Sequence, residues 1–276
     1  MISGGVDHTG AVVIPALGAL AQFLLGLTGK AFLESMIIGY EVGRRVLDAC
    51  GGYRPHNHED GFHSTGTIGS FAAAAAAARA MNLDEDQTVW AMGLAGSFTG
   101  GTWAFARDGA MGKRFHAGWA AETGVTAAVL ASQGFTGPEF IFEAEWGGFF
   151  STYARSASCP EKLVQDLGTT FAIMRTGIKP YAACRDIHSS LDVVLRARDK
   201  HRLLPEDIQE ILVRATPETF QMVGQNPYPE TRPQAQLSLS YSLAAAMVTG
   251  RAFVEEFEEA MIENFDVQEM AMRAGH

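Results

Sequence analysis

The chain has 276 residues, of which 47% are hydrophobic and 19% charged, so it can bury a large core and is not intrinsically disordered. Its 31 acidic residues outnumber its 21 lysines and arginines, and the formal net charge of -10 disfavours nucleic-acid binding because no basic patch offsets it. Three cysteines without CxxC spacing exclude a disulfide framework and predict a reducing, cytoplasmic compartment.

Helical patterns dominate the first 170 residues. The N-terminus lacks a basic signal-peptide region, and the longest apolar stretch, residues 11–27, is interrupted by proline and glycine. We therefore expect a buried helix there and no membrane span. The further elements predicted in this part are helices over 31–50, 64–81, 84–98 and 117–133, with loops over 53–61 and 99–112.

The predicted helix at 64–81 contains seven successive alanines, Ala72 to Ala78. A helix of this composition has no bulky face, so we expect it at the crowded centre of a helical bundle.

The pattern changes near residue 173. The elements predicted after this point are a short extended segment at 178–183, a helix at 187–201, a strand at 208–216, a proline-containing loop at 225–233, and helices at 236–249 and 254–265. The fold class is therefore mainly α: a large all-helical domain over residues 1–174, followed by a smaller α+β domain over residues 175–276.

One candidate site lies at the start of the alanine-rich helix. His63 directly precedes Ser64 and Thr65, and the N–H groups of a helix N-terminus can bind a carboxylate. An alternative is that one hydroxyl only caps the helix and that His63 is a hydrogen-bonded loop residue.

A second candidate is the sequence GKRFHAG at residues 112–118. Lys113 stands at a predicted helix start, where a cation opposes the helix dipole and an anionic ligand would relieve the repulsion. The alternative is a solvated basic turn, which is favoured for Arg114, and His116 is interpreted as structural.

A third candidate is the segment IKPYAACR at residues 178–185. Lys179 lies beside a proline in an apolar setting, where desolvation would lower its pKa, and Arg185 could bind a carboxylate through two hydrogen bonds. Cys184 has no spacing that supports a catalytic dyad and is interpreted as a small buried residue.

Three signals are weaker. His8 precedes the first helix, and Tyr241 lies early in a later helix, where a core role is the alternative. His56 and His58 have the spacing of a metal-ligand pair but no further ligand nearby, so a polar loop is the better interpretation.

No nucleotide-binding motif occurs in the sequence. The remaining set of histidines, lysines, an arginine and a tyrosine suits proton transfer on an anionic substrate.

Five stretches together resemble the MmgE/PrpD family, which includes 2-methylcitrate dehydratases, cis-aconitate decarboxylase and iminodisuccinate epimerase. They lie at residues 7–16, 61–69, 113–118 with 134–138, 178–189, and 236–241, in the order that the family has them.

The resemblance implies a helical domain and a smaller α+β lid with the active site in the cleft between them, a homodimer, and no organic cofactor or metal. It implies His8 and His63 as active-site histidines, Lys113 and Lys179 as active-site lysines, and Tyr241 as an active-site tyrosine. Because imidazole titrates near the working pH, we expect one of the two histidines to act as base and the other as acid. Arg185, Ser64 and Thr65 are expected to bind the substrate.

The function expected from this resemblance is that of a cofactor-independent lyase. It would remove a proton α to a carboxylate of a small di- or tricarboxylate, with a 2-methylcitrate dehydratase-like hydro-lyase as the leading hypothesis and a decarboxylase or epimerase as the alternative. Because family members are usually much longer, we expect the chain to be truncated at both ends. A catalytically inactive paralogue is therefore a second hypothesis, and a metal-dependent hydrolase using His56, His58 and His63 is a third.

Overall fold

The computed structural model describes residues 8–275, which divide into two compact units. The first unit comprises the described residues up to Trp103 together with Gly112–Gly177, and the second comprises Ala104–Met111 and the residues from Ile178 onward. The change at Gly177 lies three residues from the predicted domain boundary at residue 174. Asp7 of the first family-like stretch and the N-terminal residues examined for a signal peptide lie outside the described range.

The first unit is built from helices. They are α1 (Thr9–Phe23), α2 (Gly29–Ala49), a π-helix (Arg54–Glu59), α3 (Ser64–Thr67), α4 (Gly69–Ala80), α5 (Glu85–Phe98), α7 (Gly112–Ser132), α8 (Phe149–Tyr153) and the 3₁₀ turns Pro160–Leu163 and Ala172–Arg175.

The alanine-rich helix α4 lies at the centre of this unit, as its composition predicts. It contacts α1, α2, α5 and α7, and Ala72 to Ala78 are all buried. The close approach of α7 depends on Gly124, because a Cβ there would lie 2.4 Å from the Cβ of Ala73. Small side chains on both helices therefore let four neighbours pack around α4 at short range.

A local signal explains where α5 begins, whereas two other predicted elements differ from the structure. The side chain of Asp84 accepts a hydrogen bond from the backbone N–H of Gln87, and the side-chain oxygen of Gln87 accepts one from the backbone N–H of Asp84, which forms a capping box at the start of α5. The single helix predicted over 64–81 is interrupted at Ile68. The loop predicted over 53–61 instead holds the π-helix, a geometry that often occurs at functional sites.

The second unit combines short helices with a minimal strand pair. Its elements are α6 (Phe105–Asp108), the 3₁₀ turn Arg185–Ile187, α9 (His188–His201), the 3₁₀ turn Pro205–Asp207, β1 (Ile211–Leu212), α10 (Pro217–Val223), α11 (Arg232–Gln236), α12 (Leu239–Thr249), the 3₁₀ turn Glu255–Phe257, α13 (Glu259–Ile262), α14 (Phe265–Ala271) and β2 (Ala274–Gly275).

Three predictions for the second unit need correction. The strand predicted over 208–216 is reduced to β1, which among residues 8–275 pairs in parallel with β2 through two residue pairs. The segment predicted to be extended at 178–183 forms no strand. The single helix predicted over 254–265 is divided into a 3₁₀ turn and α13, because the chain is extended at Glu258.

Buried residues of α9, α12 and α14 form the core of the second unit. The prediction of a mainly α fold is confirmed. Within residues 8–275, every helix is too short or too polar to cross a lipid bilayer.

Candidate active site

Three histidines from distant parts of the chain meet in the first unit. The Nδ1 atoms of His63 and His116 lie 2.9 Å apart, although 53 residues separate them in sequence. The ring centroids of His8 and His63 are 6.2 Å apart, and His8 Nδ1 is 2.9 Å from the Thr65 hydroxyl. The structure therefore brings together His8, His63 and Thr65 of the predicted set, and adds His116.

Backbone pairing holds His63 in place. The N–H of His63 donates to the carbonyl of Gly101, and the N–H of Trp103 donates to the carbonyl of Gly61, so the two segments run antiparallel. Gly66 in α3 is required for this approach, because a Cβ there would lie 2.3 Å from the carbonyl oxygen of Gly100.

The π-helix supplies an amide that orders the same region. Asn57 Oδ1 accepts hydrogen bonds from the Ser64 N–H at 3.0 Å and from the Trp103 indole N–H at 3.1 Å, and Asn57 Nδ2 donates to the Tyr53 carbonyl at 3.0 Å. The Trp103 ring packs edge-on against His63, with centroids 4.9 Å apart. Asn57 thereby connects the α3 N-terminus with the aromatic wall beside His63.

Lys113 contributes a positive charge to this cluster. Its ammonium group lies 6.0 Å from the centroid of the Trp103 ring, within the range of a cation–π interaction. Lys113 and His116 are one turn apart on α7, so both side chains lie on the same side of that helix.

The environment lowers the pKa of His63 to about 2. Burial is the main cause, since 1% of the residue is exposed, and the charges on Lys113, His8 and His116 act in the same direction. Burial also lowers the pKa of His116. Both imidazoles are therefore neutral near pH 7 in the ligand-free chain.

His56 is a buried structural histidine behind this cluster. Its Nδ1 donates to the Tyr153 carbonyl at 3.0 Å, which leaves Nε2 to accept from the Thr67 hydroxyl at 2.7 Å. Burial lowers its pKa to about 4. Because both ring nitrogens are engaged within the protein, the polar-loop interpretation of His56 is wrong: the residue is fully buried and braces α3.

Ser64 and Thr65 differ in their surroundings. Both are buried, but Thr65 contacts His8 whereas Ser64 Oγ has no hydrogen-bond partner among the described residues. A buried hydroxyl without a partner is rare in folded proteins and calls for an explanation, such as a bound ligand or water.

In the second unit, Lys179 and His188 bond to the same backbone carbonyl. The carbonyl of Ala183 accepts a hydrogen bond from Lys179 Nζ and another from His188 Nε2, both at 3.3 Å. Arg185 begins the next 3₁₀ turn and is exposed. Burial lowers the pKa of His188, and the charges on Lys179 and Arg185 act in the same direction.

Tyr241 lies in the core of the second unit. It is 1% exposed, its ring packs 6.0 Å from that of Phe257, and its hydroxyl donates to the backbone carbonyl of Glu256 at 2.6 Å. Burial raises its pKa. This placement favours a core role for Tyr241, which the sequence analysis gave as the alternative to an active-site role.

His116, Asn57 and Trp103 are the residues that sequence reasoning missed. The spacing of Lys113 and His116 on one helix was a usable signal, since residues three apart share a face. Asn57 and Trp103 lie in segments that were predicted to be loops, and no local pattern marks them. Over residues 8–275, no three His, Cys, Asp or Glu side chains are grouped so that they could hold a metal ion.

Comparison with known proteins identifies relatives along almost the whole chain. A cis-aconitate decarboxylase-like protein, oryM, of Aspergillus oryzae is 28% identical over 275 residues, covering 93% of this chain and 56% of the relative. The cis-aconitate decarboxylases of Aspergillus terreus and Homo sapiens are 26% and 28% identical, covering 91% and 95% of this chain and 54% and 55% of the relatives. The chain spans about half the length of the curated relatives that it matches.

Family models give the same result for each part of the sequence. The MmgE/PrpD N-terminal domain matches residues 3–161, and the MmgE/PrpD C-terminal domain matches residues 181–274. These two matches cover most of the chain in the order of the family, and the chain therefore belongs to the MmgE/PrpD family.

Proposed function

We propose that this protein is a lyase that acts on a small di- or tricarboxylate through proton transfer next to a carboxylate. The observation that carries this proposal is the cluster of His8, His63 and His116 with Lys113 in the first unit. Neutral imidazoles can accept a proton and imidazolium can donate one, while an ammonium group stabilises the enediolate that forms in between.

The charge of a bound substrate would change the pKa of His63. Without ligand, burial and the charge on Lys113 hold the pKa of His63 at about 2, which makes it a weak base. A bound carboxylate would offset the charge on Lys113 and so raise the pKa of His63, while the larger effect of burial would remain. Binding of the polyanion would therefore make His63 a stronger base.

One further feature supports a bound carboxylate. The buried Ser64 hydroxyl has no hydrogen-bond partner among the described residues, so it is available to donate to an oxygen of the substrate. Lys179 and Arg185 remain predicted carboxylate-binding residues, on the basis of their charge.

Decarboxylation is the reaction that we place first. Each relative described above carries cis-aconitate decarboxylase in its name, and none carries dehydratase. Loss of CO₂ from an unsaturated tricarboxylate leaves a carbanion that a protonated imidazole can quench. The 2-methylcitrate dehydratase expected from the sequence remains a prediction, as do the homodimer and the absence of an organic cofactor.

The test is incubation of the purified chain with cis-aconitate, 2-methylcitrate, citrate and iminodisuccinate, with products analysed by mass and chirality. We expect loss of CO₂ from cis-aconitate, and Lys113→Ala should lower turnover by roughly two or more orders of magnitude. Lys30→Ala is the matched control, because that side chain is 88% exposed and pairs only with Glu34 among the ion pairs of the described residues.

Each other outcome has a defined meaning. Loss of water from 2-methylcitrate would replace decarboxylation with dehydration, and a change of chirality alone would indicate an epimerase. A folded chain that neither turns over nor binds any of the four compounds would contradict the proposal and support the inactive paralogue.

A further inference from the structure

His63 and His116 share one hydrogen-bond contact through the same type of nitrogen. Their Nδ1 atoms are 2.9 Å apart, and their ring centroids are 5.1 Å apart. His63 comes from the turn before α3 and His116 from the first turns of α7, so packing of the two helices creates the contact. Gly101 leaves room for the His116 ring, since a Cβ there would lie 3.3 Å from its Nδ1.

This contact restricts the tautomers of both rings. A neutral imidazole carries one proton, on Nδ1 or on Nε2. A hydrogen bond between two Nδ1 atoms needs a proton on one of them and a lone pair on the other. The ring that donates therefore has a bare Nε2, and the ring that accepts carries its proton on Nε2.

Both rings are neutral at pH 7 because of what surrounds them. Burial is the main cause of the low pKa of His63. A positive charge on any of four neighbouring side chains lowers it further: Lys113, His8, His56 and His116. Burial acts on His116 in the same sense. The tautomer rule for two neutral imidazoles therefore applies to this pair.

We propose that His63 and His116 form one tautomer-coupled pair, in which His116 is a positioning residue that determines whether the Nε2 of His63 is a donor or an acceptor. In either arrangement, one of the two rings has a protonated Nε2 and the other has an unprotonated Nε2. If His63 Nε2 accepts a proton, its Nδ1 proton passes to His116 Nδ1, and the His116 Nε2 proton leaves. One proton enters, one leaves, and the pair ends in the opposite tautomeric state.

The first test is nitrogen-15 NMR of the histidine side chains in the full chain near pH 7.5. We expect one of His63 and His116 to be the Nδ1–H tautomer and the other to be the Nε2–H tautomer, with His63→Asn and His116→Asn used to assign the signals among the eight histidines. Two rings in the same tautomer would overturn the proposal. This measurement needs no substrate, so its outcome does not depend on the proposed function. Only the catalytic role of the pair rests on that function.

The second test separates positioning from bulk. His116→Phe keeps a ring but removes both nitrogens, whereas His116→Asn keeps a hydrogen-bonding atom near the position of Nδ1. We expect His116→Phe to lower kcat/KM by roughly 10- to 100-fold and to change its pH profile, and His116→Asn to recover much of the loss.

Two results would contradict this expectation. Equal losses in His116→Phe and His116→Asn would remove the positioning role, and so would wild-type kcat/KM in His116→Phe. The exposed His201, at the end of α9, is the control: His201→Phe should leave both kcat/KM and the pH profile unchanged. Unfolding midpoints of all three variants show whether a loss comes from misfolding.

Discussion

The candidate site residues of the two units have different kinds of hydrogen-bond partner. In the first unit, His63 and His116 contact each other, and His8 contacts the side chain of Thr65. In the second unit, the polar atoms of Lys179, His188 and Tyr241 bond to backbone carbonyls. The side chains of the first unit keep proton-transfer chemistry available, whereas a carbonyl partner holds a side chain in place.

The same distinction applies within the first unit. His56 is as deeply buried as His63, but one of its nitrogens donates to the Tyr153 carbonyl and the other accepts from Thr67. Burial alone therefore does not mark a catalytic histidine. The partners of the ring nitrogens separate a brace such as His56 from a candidate acid–base group such as His63.

Removal of His63 should have the largest effect. If the first unit holds the acid–base group, His63→Ala lowers turnover by roughly two to four orders of magnitude, because the substitution removes the imidazole that transfers the proton. Steady-state kinetics on the substrate identified by the product analysis provides the measurement. Turnover like that of the wild type would remove His63 from the mechanism and weaken the contrast between the units.

The pH dependence of the free energy of unfolding should show that His56 is held in its neutral form by burial. The pKa of His56 is lowered to about 4 in the folded chain, so the unfolded chain binds more protons below about pH 6.5 and the free energy of unfolding falls as the pH falls. His56 alone should account for about 2 kcal/mol of the loss between pH 7 and pH 5.

Denaturant unfolding at both pH values measures this loss. His56→Gln removes the titrating group, so its loss of stability between pH 7 and pH 5 should be smaller than that of the wild type by about 2 kcal/mol. His63 contributes in the same direction, since its pKa is lowered to about 2. An unchanged pH dependence in His56→Gln would mean that His56 is not held neutral by burial.

Tyr241→Phe should have the smallest effect, and it tests the second unit directly. The substitution removes the hydrogen bond from the hydroxyl to the Glu256 carbonyl while it keeps the buried ring. We expect the free energy of unfolding to fall by about 1 kcal/mol and turnover to change little. Large loss of turnover with unchanged stability would instead restore the catalytic role that the family resemblance implies.

Sequence alone determined the features that depend on neighbours along the chain. The capping box at Asp84, the helical conformation of the alanine-rich segment and the mainly helical fold class all follow from composition and from spacing within one or two turns. The motif order was likewise sufficient for the family, which the domain matches confirm.

Tertiary structure decided everything that joins distant segments. The contact between His63 and His116 requires α3 and α7 to pack together, and β1 depends on a partner more than sixty residues away. The burial of Tyr241 and the hydrogen bonds of Asn57 have the same origin. Local propensities depend on a residue's immediate neighbours along the chain. Side-chain partners between distant segments depend on the complete tertiary fold, and so do burial and the resulting pKa values.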